Sequence, residues 1–299
     1  MKISSLVPTR GRPDSMTRYV CSVFDTASDP SSIEIIFYID NDDLPSKIRA
    51  EELKEKYNIK YVFDNRITLS QTINECYKLA EGDILFLGSD DLIVRTQNWD
   101  KLVLEAYNQI EDKIALVYGH DGHSPTRFAT HPFLHRAWVD VVGYVTPPYF
   151  VAGMADKWLN DVAKKINRQV FVNILTQHVN PDVKRVYSYK SNLKNIDIKK
   201  YKMLLKDIAR DKDITYNELA HVGSTVDCRA IYDTLTSERS QNIKDLKNAI
   251  EVFQQTKLDT FVDTVSNQYD IMSVSDFNNY QPQAIARDIA RNNRRRNKQ

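Results

Sequence analysis

The spacing of apolar positions switches repeatedly between two periods over the first 118 residues. Ile3 to Val7 is a short apolar run; Met16, Tyr19, Val20, Val23 and Phe24 then recur every three to four positions before a second run, Ile33 to Ile39. The first pattern predicts a buried strand, the second the apolar stripe of a helix. The same switch predicts a helix from about Pro45 to Tyr57 and a strand from Ile59 to Phe63. Leu69, Ile73, Cys76, Tyr77 and Ala80 share one helical face ahead of a strand ending at Gly88, and a helix through Trp99 leads to a strand from Ile114 to Tyr118. Repeated strand-helix-strand units predict an α/β fold, with a mainly parallel sheet covered by helices on both faces. Ligands of such sheets bind outside the carboxyl ends of the strands.

From Gly119 to Gly153 the rhythm breaks. Gly119-His120-Asp121-Gly122-His123, Thr130-His131-Pro132 and Thr146-Pro147-Pro148 are loop signals around one short apolar segment. A helix from Met154 to Ile166 and a strand from Gln169 to Leu175 follow, with a polar exit through His178-Val179-Asn180-Pro181. Beyond residue 190 only helical spacings recur, such as Ile243, Leu246, Ile250 and Phe253, and Ile285 with Ile289. The expected division is a sheet domain over 1–189 and a helical accessory region with a basic tail over 190–299.

With 299 residues, 42% of them hydrophobic and 27% charged, the composition is that of a globular chain able to bury a full core. No apolar run approaches the ~18–20 residues of a membrane span, and the amino-terminal residues lack the apolar core of a signal peptide. A cytoplasmic location is the expectation, or the host cytoplasm for a phage-encoded chain. Cys21, Cys76 and Cys228 are odd in number and widely spaced, which predicts reduced thiols rather than a disulfide frame. Net charge is +1, but between Lys184 and Lys212 ten basic residues face three acidic ones, and Arg287, Arg291, Arg294, Arg295, Arg296 and Lys298 make the end basic. Such stretches can neutralise phosphates, and they are equally what solvated tails look like.

Candidate chemistry concentrates at strand ends. The run from Asp83 to Leu87 leads through Gly88 and Ser89 into Asp90-Asp91, two carboxylates able to hold a divalent cation against a diphosphate. An isolated Ser-Asp-Asp also suits a turn or helix cap, and a helix follows soon after. The first strand runs into Pro8-Thr9-Arg10-Gly11-Arg12-Pro13, and the second ends at Asp40. Arginines there can reach phosphates, while an Asp can accept hydrogen bonds from a base or ribose. Read alone, Thr9 to Pro13 is just as much a turn starting a helix. His120, His123, His131 and His135 lack cysteine partners and suit an acceptor-site loop better than a zinc site. Trp138, Tyr144, Tyr149, Phe150 and Trp158 suit core packing as well as a stacking platform, with Tyr149 and Phe150 as pocket walls.

Taken in order over residues 2–180, these motifs resemble the GT-A (Rossmann-like) glycosyltransferases, particularly the family 2-like group that uses nucleotide sugars. The resemblance implies a catalytic domain over 1–189. It implies donor contacts from Pro8, Thr9, Arg10, Arg12, Asp40, which would meet the base, and Asn74, with Asp90 near the ribose. It further implies Asp91 and His178 as ligands of Mn2+ or Mg2+, and Asp156, in Ala155-Asp156-Lys157-Trp158-Leu159, as general base, with Asp161 in reserve. The chain departs from the family pattern at Ala155, where relatives carry Glu, and at Gly88, where many carry a further Asp.

The activity so implied is metal-dependent transfer of a sugar, from a UDP-sugar by expectation, onto an acceptor hydroxyl of a glycan, a protein or DNA bearing hydroxymethylated pyrimidines, as in some phage-encoded relatives. The helical region would hold the acceptor or an oligomer contact. Two rivals stand beside it. A nucleotidyltransferase would share the sheet and the carboxylates but display a Gly-rich, Lys-containing loop after the first strand; a noncatalytic nucleic-acid-binding protein would account for the basic stretches and not for the ordered acidic motifs.

Overall fold

The structure is a computed structural model that describes residues 1–122, 128–150, 153–179 and 228–268, with the backbone alone at 228, 230 and 261–268. Four strands, β1 (Ile3–Thr9), β2 (Ile33–Asp40), β3 (Ile59–Asp64) and β4 (Ile84–Leu87), are parallel, in the spatial order β3-β2-β1-β4. They are joined by α1 (Pro13–Asp25), α2 (Leu44–Lys54) and α3 (Leu69–Leu79), as the alternating periods predict. Local chemistry starts these helices: Pro13 opens α1, the Asp43 carboxylate caps α2 by accepting from Ser46 N at 3.3 Å, and Thr68 with Gln71 forms a reciprocal capping box on α3.

The second half of the sheet adds antiparallel pairs to the mainly parallel order. β7 (Phe133–His135) lies antiparallel between β4 and β6 (Leu116–His120). β8 (Gln169–His178) pairs parallel with β6, and its last three residues pair antiparallel with β5 (Leu92–Val94). The eight-stranded order is β3-β2-β1-β4-β7-β6-β8-β5. β5, β7 and α5 (Arg136–Val142) are absent from the pattern reading, because a three-residue strand and a seven-residue helix are too short to display their periods. Only pairing with neighbours makes a strand of Phe133–His135.

Alternation along the strands sorts two cores onto two faces. Leu6, Ile36, Leu85 and Leu134 face one core with α3, α5 and α6 (Ala155–Lys165). Val7, Phe37, Phe86 and Phe133 face the other with α1, α2 and α4 (Trp99–Asn108). Trp138, Phe150 and Trp158 are fully buried in the first, which makes them core rather than a stacking platform. Cys76 is a buried free thiol and Cys21 a half-buried one; the side chain of Cys228 lies outside the described residues.

The helices α7 (Cys228–Thr234) and α8 (Thr236–Gln268), with Leu235 between them, add Ile231, Tyr232, Leu235, Leu246 and Ile250 to the first core. Asn242 Oδ1 accepts from both Tyr144 Oη, at 2.5 Å, and Trp158 Nε1, at 3.1 Å, joining α8 to α6. Backbone proximity divides the chain into Met1–Ile250 and Glu251–Gln299; in the second unit α8 continues to Gln268. The expected boundary at residues 189/190, the basic stretch from Lys184 to Lys212, the basic tail, and the Ile285 and Ile289 pair all lie outside the described residues. Among the described residues no helix is long and apolar enough to cross a membrane.

Candidate active site at the carboxyl edge of the sheet

β1, β2, β3 and β4 end side by side, and their carboxyl ends carry the polar residues singled out in the sequence. Asp90, fully buried just beyond β4, accepts from Thr9 Oγ1 at 2.7 Å. Its Oδ1 lies 2.7 Å from Arg12 Nη2, in a geometry that makes no hydrogen bond. Burial pushes the Asp90 carboxyl up to about 6, reinforced by neighbouring Asp91 and opposed by Thr9 and Arg12. Asp91 is the better-held anion. Burial acts to raise it too, but His178 Nε2 at 3.2 Å, Ser89 Oγ at 2.5 Å and Arg12 Nη1 at 3.2 Å hold it well below the usual carboxylate range. Asp91 in turn raises the His178 imidazole.

A second cluster sits at the ends of β2 and β3. Arg10 Nη1 donates to Asp40 at 2.8 Å and the same guanidinium forks onto Asp42, which raises Arg10 still further. Burial lifts the Asp40 carboxyl against Arg10 and against Arg66, whose Nε lies 3.6 Å away. Pro8 stands inside β1 opposite Tyr38. Arg66 is a residue the sequence reading passed over, although the rule that pointed to Asp40, polar residues just past a parallel strand, applies equally to Asp64-Asn65-Arg66.

Two expected residues stand apart. Asn74 Nδ2 donates to Thr146 O at 2.8 Å while its Oδ1 accepts from Val145 N and Thr146 N, so three of its four hydrogen-bonding positions hold a backbone segment. Asn74 therefore clamps α3 to the loop before α6. Asp156, in the first turn of α6, is half-buried, accepts from Lys157 N at 2.7 Å, and is raised by burial. It shares no hydrogen bond or ion pair with the Asp91 cluster among the described residues. Asp161 is bound to Lys157 Nζ at 2.6 Å and to Tyr232 Oη.

The histidines separate. His135 caps α5, and His120 packs on Phe171. His131, pushed down to about 4 by burial, stacks edge-on against His178 with ring centroids 5.4 Å apart. His123 lies outside the described residues. Among the described residues no three His, Cys, Asp or Glu side chains converge as a complete metal cage. The pair Asp91 Oδ1 and His178 Nε2, 3.2 Å apart, nonetheless spans about one edge of an octahedron with ~2.1 Å ligand bonds. Once Nε2 gives up the proton it shares with Asp91, the donor set fits a divalent ion that takes its other ligands from phosphates and water.

Gly88 is required by the interior. A Cβ there would stand 2.5 Å from Tyr19 Oη and 2.6 Å from Ser5 Oγ, two buried hydroxyls bonded to each other at 2.6 Å. A carboxylate at 88 would thus be driven into this packed pair. Gly88→Ala is expected to cost ~1–3 kcal/mol in urea unfolding by overpacking; an unchanged midpoint would mean the surroundings yield freely.

The sequence model described as glycosyl transferase family 2 matches residues 4–150. That match covers just under half of the chain, and the chain is a glycosyltransferase. The matched segment holds the acidic edge and ends just before α6. Among solved structures, the glycosyltransferase is similar to Staphylococcus aureus TarS 1-349 in complex with UDP, at 13% identity and a TM-score of 0.50 over 86% of this chain and 92% of that one. The UDP-GlcNAc complex of TarS 1-349 aligns at 14% identity and the same TM-score. A longer TarS structure is spanned over 42% of its length. The mannosyltransferase PcManGT from Pyrobaculum calidifontis, in complex with GDP-Man and Mn2+, aligns at 11% identity and a TM-score of 0.51 over 89% of this chain and 80% of that one. The likenesses to TarS 1-349 with its bound ligands and to PcManGT establish the GT-A fold. Nothing among curated protein sequences matches the glycosyltransferase.

Proposed function

We propose that this glycosyltransferase transfers a sugar from a nucleotide sugar, a UDP-sugar, to an acceptor hydroxyl with the help of Mn2+ or Mg2+. The observation that carries the reading is the pair of Asp91, beyond β4, and His178, the last residue of β8, 3.2 Å apart, with Arg12 on the same carboxylate. The complexes of UDP, UDP-GlcNAc and GDP-Man with Mn2+ in proteins of this fold support it.

A divalent ion held by Asp91 and His178 would stabilise negative charge developing on the departing diphosphate. Arg12 and Arg10, at the mouth of the same edge, would bind phosphate oxygens, and Asp40 with Arg66 would receive the nucleoside. As the acceptor oxygen bonds to the sugar's anomeric carbon, the bond to the diphosphate breaks and its electron pair leaves with the phosphate. The hydroxyl proton passes to Asp156, whose Oδ1 accepts from Lys157 N while its raised pKa makes it the stronger base.

For the acceptor, the excess of positive charge between Lys184 and Lys212 favours a polyanion, and hydroxymethylated pyrimidines in DNA combine that charge with a primary hydroxyl. Incubation with a panel of UDP- and GDP-sugars and Mn2+ should release nucleoside diphosphate slowly from a UDP-sugar, and chelation with EDTA should stop it. Absence of both hydrolysis and metal-dependent nucleotide binding would overturn the reading. Duplex DNA with hydroxymethylated bases should then accelerate release if it is the acceptor.

A further inference from the structure

The two carboxylates of the Asp90–Asp91 pair already share a cation. The guanidinium of Arg12 spans them, with Nη2 2.7 Å from Asp90 Oδ1 and Nη1 donating to Asp91 Oδ2 at 3.2 Å. Their remaining oxygens are engaged elsewhere, Asp90 Oδ2 with Thr9 and Asp91 Oδ1 with Ser89 and His178. The anions are fixed and buried. Arg12 is the opposite: its side chain is 43% exposed, it stands at the N-cap of α1, and it makes no side-chain capping bond there. Of the groups in this ion cluster, the arginine is the one free to turn.

We propose that Arg12 is the resident counter-cation of the Asp90–Asp91 pair, and that it exchanges from these carboxylates to the donor's diphosphate, so that metal and nucleotide bind as one coupled event. This inference rests on the metal and nucleotide reading above. Charge balance supplies the reason. A dication beside Arg12 would set three positive charges against two carboxylates at close range, an arrangement that like-charge repulsion disfavours. A diphosphate adds at least two negative charges and offers the paired oxygens that a guanidinium fork matches. Arg12 therefore weakens metal binding to the nucleotide-free protein and strengthens it once a diphosphate is present. Arg10 is not equivalent, because its fork is held at Asp40 and Asp42, away from the candidate metal ligands. Coupling of this kind is reciprocal: whatever factor the nucleotide adds to metal affinity, the metal adds to nucleotide affinity.

The test is Mn2+ affinity of the full chain, read from the electron paramagnetic resonance of free Mn2+, without nucleotide and with saturating UDP. Wild type should bind Mn2+ at least ~10-fold more tightly with UDP than without it. Arg12→Gln should bind Mn2+ more tightly than wild type in the absence of nucleotide, by a similar ~10-fold, and the gain from UDP should fall towards unity. Arg12→Lys retains the charge without the fork, so it should keep nucleotide-free Mn2+ binding weak while UDP affinity declines; it also covers the case in which Arg12→Gln does not fold. If Arg12→Gln, or Arg12→Lys in its place, departs from its expected nucleotide-free Mn2+ affinity while Asp91→Asn abolishes Mn2+ binding, the inference fails and the metal reading stands. If Asp91→Asn binds Mn2+ as wild type does, the metal reading fails and the inference falls with it.

Discussion

Asp156→Asn is expected to lower sugar transfer by ~10²- to 10⁴-fold while leaving UDP binding close to wild type. The amide keeps the shape and the hydrogen bond from Lys157 N at 2.7 Å, but it cannot take a proton from an acceptor hydroxyl. Its surroundings favour the assignment: burial raises this carboxyl, so the anion is more basic than an ordinary surface Asp, and Asn160 accepts from Ala129 N at 2.9 Å to tie α6 to the neighbouring loop. The check compares kcat with nucleotide affinity by calorimetry. Asp161→Asn is the informative control. Asp161 is held by Lys157 and Tyr232, which keep its carboxyl below the ordinary range and make it a poor base. Transfer by Asp161→Asn should stay near wild type, and normal turnover by Asp156→Asn would remove Asp156 from the role.

Asp91→Asn should weaken metal-dependent UDP binding by ~10- to 100-fold or more. Loss of an outer-shell partner of a metal ligand already costs ~10- to 100-fold, so loss of a ligand costs at least as much. The substitution retains the volume of the side chain, and its carbonyl oxygen can still accept from Ser89 Oγ, so unfolding is not the expected cause. Titration of UDP with and without Mn2+ reads the effect directly. Equal metal dependence in the variant and wild type would move the metal away from the end of β4. A parallel loss in melting temperature would show that Asp91 acts chiefly as the partner of Arg12 and His178.

The legibility of this protein in its sequence followed element length. β1 through β4 and the helices between them read clearly because strands of four to eight residues and helices of eleven to thirteen repeat their period enough times to be recognised. β5 and β7, at three residues each, carry no period, and their antiparallel pairings are the part of the mainly parallel sheet that the pattern did not show. Among the site residues, Thr9, Arg12, Asp90, Asp91 and His178 were all named from the chain and lie together. Asn74 was named and proved to hold the Val145–Thr146 backbone. Arg66 went unnoticed because nothing local distinguishes it from any polar residue after a strand.

Gly88 shows the same boundary from another side. In sequence it was a gap in an acidic motif; in the fold it is the space into which the Tyr19 and Ser5 hydroxyls pack. The sequence by itself determined the strand-helix alternation, the burial pattern and the delivery of carboxylates and arginines to one edge, because these depend on short-range periodicity and on strand direction. Only the tertiary structure decided which arginine pairs with which carboxylate, that His178 meets Asp91 across 87 positions of chain, and that α7 and α8 complete the core against α6. Those choices depend on distances between residues far apart in sequence, and a one-dimensional pattern carries no information about such distances.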